Sequence, residues 1–217
     1  MLTPDELLAH RGLTVTAHLE KLDLRAADLA DTVFEGGSLT RLGLAHACLD
    51  RVRFEAVALR ACDLTAAALG GASVSGGTLE GCELSRAQAP GLRLRQTTLT
   101  DCRLMGADLT GSRWRQVSVE GGDTGYLNLS RALLVGVRFR HPRLGGSPLM
   151  RARLAGAFIL DCDLQNANFY GADLRGAVLV RTDLSGASFD GADLTGAVLI
   201  GCRAERTDWA DARREET

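Results

Sequence analysis

Nearly every fifth residue of this chain is apolar. From Leu19 to Trp209 a step of five visits 39 positions, and 36 of them are Leu, Phe, Val, Ile or Trp; Ala89, Thr124 and Ala204 are the exceptions. Two residues earlier the side chain is usually small, as at Ala17, Ala27, Ala47, Cys62, Ala67 and Ala72, and again at Ala167, Ala172, Ala177, Ala187, Ala192 and Ala197. Asp often stands between the two, as in AADL at 26–29 and GADL at 106–109, 171–174 and 191–194. Five steps around an α-helix advance the chain by about 500°, so the apolar residues would spiral over all its sides. In a strand, odd spacing would alternate them between the two faces. The chain must therefore turn a corner every five residues, with the central apolar residue and the small residue before it inward and the other three positions in water.

The units ANFYG (167–171), ADLRG (172–176), TDLSG (182–186) and ADLTG (192–196) resemble those of the pentapeptide-repeat family, over roughly residues 17–210. The resemblance implies an all-β fold, a right-handed quadrilateral β-helix with four pentapeptides per coil and coils stacked at about 4.8 Å. The cysteines support a coil of four such units independently. Cys62, Cys82, Cys102, Cys162 and Cys202 all occupy the small inward position and differ by multiples of 20, so they are expected to stack on one wall as free buried thiols. Cys48 falls at an outward position and is the more exposed thiol.

A solenoid has open ends that need covering. Thr3, Pro4 and Glu6 read as N-cap, first helical residue and capping-box acid, and Gly12 as a stop, which predicts a short capping helix from Pro4 to Arg11. The expected organisation is an N-terminal cap over 1–16, the β-helix over 17–210 and a charged tail over 211–217, with Trp209 plugging the last coil. Residues 88–91, 121–125 and 141–148 strain the pattern, and the last, with Pro142 at an inward position, is the expected loop excursion.

Composition narrows the function. The 217 residues carry 25 Lys+Arg against 27 Asp+Glu, a net charge of −2, which gives no ground for direct nucleic-acid binding or a polybasic membrane contact. No apolar run is long enough to span a membrane and the N-terminus lacks the pattern of a signal peptide, so the expected location is cytoplasmic. His10, His18, His46 and His141 are scattered without metal-ligand spacing, and GGDTG at 121–125 lacks the Lys-Ser/Thr of a P-loop, so no catalytic residue, metal or cofactor is expected.

Two sets of surface residues stand out when positions one coil apart are compared. Asp63, Glu83, Asp123, Asp163 and Asp183 fall in a mainly acidic column, opposite a face with Arg53, Arg93, Arg113 and Arg153. Phe158, Leu160, Val178, Val180, Val198 and Ile200 flank inward residues on three successive coils and form an outward apolar strip, an expected interface with a partner or a second copy. The family resemblance implies a non-enzymatic homodimer that imitates DNA, binds DNA gyrase or topoisomerase IV and protects it from topoisomerase-poisoning antibiotics. The acidic column would then stand in for phosphates. The sequence does not show the long apolar C-terminal dimerisation helix of the quinolone-resistance members, and the strip is the expected substitute for it. A structural scaffold for an unrelated protein partner is the alternative.

Overall fold

In the computed structural model residues 14–214 are described, and the expected helix over Pro4 to Arg11 lies outside them. The chain is a parallel β-solenoid of about nine turns. Its strands are β1 (Thr14–Glu20), β2 (Val33–Thr40), β3 (Arg53–Glu55), β4 (Ala58–Arg60), β5 (Ser73–Ser75), β6 (Thr78–Glu80), β7 (Arg93–Thr100), β8 (Arg113–Glu120), β9 (Arg138–Arg140), β10 (Phe158–Leu160), β11 (Val178–Val180) and β12 (Val198–Ile200). All pair in parallel with the equivalent positions of the next coil, as in Phe158↔Val178↔Val198. The exception is at the first coil, where β1 pairs with β2 across an irregularity between Val15 and Ala17. Strands occupy two sides of the square as far as β8 and one side after it, and the remaining sides are joined by single bridges in the same register, such as Asp63↔Glu83↔Arg103↔Asp123 and Arg113↔Leu133↔Arg153.

The pairing follows from where the backbone groups go. The Leu44 amide donates to the Asp63 carbonyl of the next coil (2.7 Å), while the Asp63 amide donates back to the Leu42 carbonyl (2.9 Å), so each coil is the template for its neighbour. Corners close with a bond such as Ala47 N–H to the Leu44 carbonyl (3.0 Å). The residue at each corner takes a left-handed φ, 63° at Gly106 and 66° at Gly111, which glycine adopts without a Cβ penalty. Arg51 (56°) and Ala66 (52°) are held there against their preference by the ladder on either side.

The inward positions build one continuous core. Leu and Phe residues of the five-step column are buried along the axis, with Phe34 stacked on Phe54 (centroids 5.3 Å) and Phe169, Phe189 and Trp209 in a single pile at 4.6 Å intervals. Trp209 sits at the last coil as expected, with the Arg214 guanidinium 4.8 Å from its ring centroid. Two exceptions in the column are accommodated differently. The buried Thr124 hydroxyl donates to the Arg143 carbonyl (2.8 Å), whereas Ala89 helps line a wholly apolar void of about 30 Å³. The third, Ala204, lies exposed in the last coil.

At several small inward positions a polar side chain finds a backbone carbonyl, although the buried Thr32 and Ser112 hydroxyls do not. The Cys62 thiol donates to the Leu39 carbonyl (3.2 Å), Cys82 to Leu59 (3.6 Å), Cys102 to Leu79 (3.4 Å) and the Thr97 hydroxyl to Val74 (3.3 Å), in each case 23 residues back. Cys62, Cys82, Cys102 and Cys162 are buried and free as expected, and burial pushes the Cys162 thiol up to about 12. Cys202 belongs to the same column but is half-buried, because no coil follows it among the described residues.

The expected loop at 141–148 is not there. Pro142 is buried in an ordinary coil, and Arg143 bridges Asp123 on one side and Asp163 on the other. Among the described residues the amides of Gly122 and Cys162, stacked on either side of Pro142, make no ladder hydrogen bond, so a residue without an N–H removes nothing. Gly122 itself is required: its φ is +87°, and a Cβ there would collide with the Cys102 carbonyl.

Two measurements check this packing. In native protein a thiol reagent is expected to modify Cys48 and Cys202 first, with Cys62, Cys82, Cys102 and Cys162 reacting only in denaturant; rapid modification of all six contradicts the stacked wall. Phe189→Ala, which removes the middle ring of the C-terminal pile, is expected to cost about 3–5 kcal/mol in a denaturant titration. A loss below about 1 kcal/mol would mean the rings are not packed together.

Candidate interaction surfaces

The acidic column lies where the sequence places it, but its carboxylates have a local structural task. Each sits just before an inward residue and accepts the amide two residues on: Asp63 from Thr65 (3.0 Å), Asp163 from Gln165 (3.0 Å), Asp183 from Ser185 (3.0 Å), Asp123 from Gly125 (3.4 Å) and Glu83, with its longer arm, from Ser85 (3.1 Å). The same bond recurs on other sides, as at Asp108, Asp173, Asp193 and Asp208. Asp is frequent in this position because it ties the start of each corner to its own backbone. The remaining oxygens face outward, yet the column is not uniformly negative. Arg103 pairs with Glu83 and Arg203 with Asp183, both at 3.4 Å, and Arg143 stands between Asp123 and Asp163.

Elsewhere acid and base brace one coil on the next. Arg51 holds Asp31 through two bonds of 2.7 Å, and Arg181 holds Asp161 in the same way, which keeps the Asp161 carboxyl below its usual range. Arg25 does this within one coil to Asp23, which it lowers to about 2.

The apolar strip is continuous. Phe158, Val178 and Val198 stack in register on one side of Ile159, Leu179 and Leu199, and Leu160, Val180 and Ile200 on the other. Phe158 is 52% exposed and Ile200 55%, while Leu160, Val178 and Val180 are half-buried by their neighbours. Arg138 and Arg140 border the strip at its upper edge and line a shallow cleft with Phe158, Leu160, Val178 and Val180. Leu199 occupies an inward position of the column but is 39% exposed, since no further coil covers it among the described residues. The strip therefore runs without a break onto the apolar end of the solenoid.

The remaining candidates are dispersed. Cys48 is half-buried between Asp28 and Ala68. Residues 121–125 form corners of the coil with Thr124 turned inside. Among the described residues no cluster of His, Cys, Asp or Glu is arranged to hold a metal ion, and no helix is long and apolar enough to cross a membrane. Sequence reasoning passed over several exposed side chains: Met105, Tyr126, Val135, Met150 and Tyr170. Tyr126 lies across Gly146, its neighbour in a column of corners that comparison of successive coils would have revealed.

Because the aspartates of the column accept backbone amides, replacing them is not neutral for the fold. Asp163→Ala with Asp183→Ala is expected to lower the melting temperature by several degrees, while Asp163→Asn with Asp183→Asn keeps the acceptor and leaves it nearly unchanged. Equal melting temperatures for the two double variants would show that the carboxylates do not hold the corners.

Comparison with known proteins agrees with this geometry. The sequence profile of pentapeptide repeats matches in eight copies, over residues 62–101, 132–169, 149–186, 162–201 and 177–208. A comparison with curated protein sequences finds no significant match. Among solved structures, HetL, a pentapeptide repeat protein involved in heterocyst differentiation regulation from the cyanobacterium Nostoc sp. strain PCC 7120, is similar with a TM-score of 0.59 and 24% identity, over 98% of this chain and 97% of that one. Full-length QnrB1, a plasmid-mediated fluoroquinolone resistance protein, is similar with a TM-score of 0.63 and 20% identity, over 83% of this chain and 94% of that one. At these identities the likeness is one of fold.

Proposed function

We propose, from the premise that this chain belongs to the pentapeptide-repeat family, that it is a non-enzymatic interaction protein which docks on a type II topoisomerase, DNA gyrase foremost, and protects it from topoisomerase-poisoning antibiotics. The observation that carries the reading is the rod itself, with Asp63, Glu83, Asp123, Asp163 and Asp183 set on one side at multiples of a fixed coil spacing. Outward oxygens repeated along a rigid axis offer a DNA-binding saddle what a phosphate backbone offers it, without the backbone's flexibility. The shared fold with QnrB1, a fluoroquinolone resistance protein, supports the same reading.

The apolar strip supplies the second half of the proposal. Phe158, Leu160, Val178, Val180, Val198 and Ile200 meet the same strip of a second copy across a twofold axis, since an apolar surface is self-complementary without matched charges. Burying each large side chain contributes about 1.5–3 kcal/mol before the costs of association.

A structural scaffold for an unrelated protein is the second reading, and a specific observation favours it: Arg103, Arg143 and Arg203 interrupt the acidic column, and two of them neutralise its members.

A supercoiling assay with gyrase and a fluoroquinolone separates the two. The protein at micromolar concentration is expected to restore supercoiling in a dose-dependent way, and Asp163→Asn with Asp183→Asn to weaken that effect at an unchanged melting temperature. If neither gyrase nor topoisomerase IV responds, with or without inhibitor, the topoisomerase reading falls and the scaffold stands. In light scattering the wild type is expected to be a dimer and Val178→Asp with Val198→Asp a folded monomer; a monomeric wild type would remove the twofold contact.

A further inference from the structure

Among the described residues, arginines gather on one face without acids to pair them. On the side opposite the acidic column, β7 and β8 place Arg93 directly beside Arg113 and Arg95 beside Arg115 in adjacent coils. Arg131 and Arg151 follow on the neighbouring corner and Arg153 on the face, and all seven are exposed. The acids of this stretch, Asp101, Asp108, Glu120 and Asp123, are on other sides of the square. Arginines nearer the ends of the same face are paired, Arg51 to Asp31, Arg53 to Glu55 and Arg175 to Asp173. Among the described residues Arg93, Arg95, Arg113, Arg115, Arg131 and Arg151 have no acid within ion-pair distance, and Arg153 has only the field of Asp173 in the next coil. Like charges directly opposite one another on paired strands are destabilising, so the fold maintains this arrangement at a cost.

An apolar spot lies within the basic face. Leu133 bridges Arg113 in the preceding coil and Arg153 in the next, and Val135, two residues on, is 48% exposed. Arg113 and Arg115 border the pair on one side, Arg153 on the other, and Arg131 and Arg151 line the near corner. An apolar centre within a rim of arginine is the anatomy of a protein interface, and guanidinium groups donate to carboxylates in two-pronged pairs.

We infer that this face is a docking surface for an acidic protein segment that carries an apolar side chain between carboxylates. From the coil of Arg93 to that of Arg153 is three coil steps, about 14 Å, which an extended segment covers in about four or five residues. A nucleic-acid backbone matches the charge but brings nothing to cover Val135, and among the described residues no exposed aromatic side chain lies beside Leu133 and Val135 to stack a base, Tyr170 standing next to Arg151 at the corner. The inference is independent of the topoisomerase reading, which uses the opposite side.

The test is fluorescence anisotropy at about 50 mM salt, where surface charges are weakly screened, with a labelled peptide of about twelve residues in which Asp and Glu flank a Leu-Ile pair. Wild-type protein is expected to bind it saturably. Arg113→Gln with Arg115→Gln is expected to weaken binding about tenfold while raising the melting temperature, since it relieves repulsion. Val135→Ser is expected to weaken it several-fold, and Arg138→Gln with Arg140→Gln, on the adjacent face, less than about twofold. Failure of the wild type to bind, or equal binding by the Arg113/Arg115 variant, overturns the proposal. Binding that depends on the arginines but not on Val135 overturns the apolar centre. Tighter binding of a duplex of about 20 base pairs, lost in the same arginine variant, assigns the face to phosphate instead.

Discussion

Most backbone hydrogen bonds of this chain run from one coil to the next, with short bonds closing corners within a coil, and the rest of the structure follows from that. A coil that is the template for the next must repeat it residue for residue, because a slip of one would carry each inward Leu to the surface and each corner out of its left-handed conformation. The five-residue period is the outcome: one inward apolar residue, one small residue before it, and a corner. The small position lies close to the preceding coil's carbonyls, which is why Ala, Cys and Thr interchange there and why the Cys62, Cys82 and Cys102 thiols all donate to a carbonyl 23 residues earlier.

The same constraint explains what could be read in advance. The length of a coil, the inward thiols and the apolar strip depend only on register, and register is written in the spacing of Leu, Phe and Cys. The continuity at Pro142 was not legible, because whether a proline interrupts a ladder depends on whether that position's amide donates, and apolar spacing does not carry this. Nor was the backbone role of the aspartates: Asp163 and Asp183 looked like free surface charge, whereas each accepts an amide two residues on. The exposure of Leu199 and Cys202 depends on what covers the last coil, which the internal pattern does not contain.

A net charge of −2 says little about a molecule whose charges are sorted into columns. Three arginines interrupt the carboxylates on one side and cancel them in part, while seven arginines gather on the other. The chain thus has three distinct surfaces on a rigid support: a mixed acidic column, an apolar strip open toward the C-terminal end and a basic face with Val135 within it. A rod with flat sides and fixed spacing suits recognition, since it loses little conformational freedom on binding.

Spin-label distances along one column test the register most directly. With Cys48→Ser and Cys202→Ser as background, labels at Glu55→Cys and Thr195→Cys should lie about 34 Å apart and labels at Ser75→Cys and Thr195→Cys about 29 Å, at about 4.8 Å per coil. Two separations that differ by about one coil spacing are the result a continuous solenoid requires. Separations shorter than these by about one coil spacing or more, or a broad distribution for either pair, would contradict a continuous coil through residues 121–148.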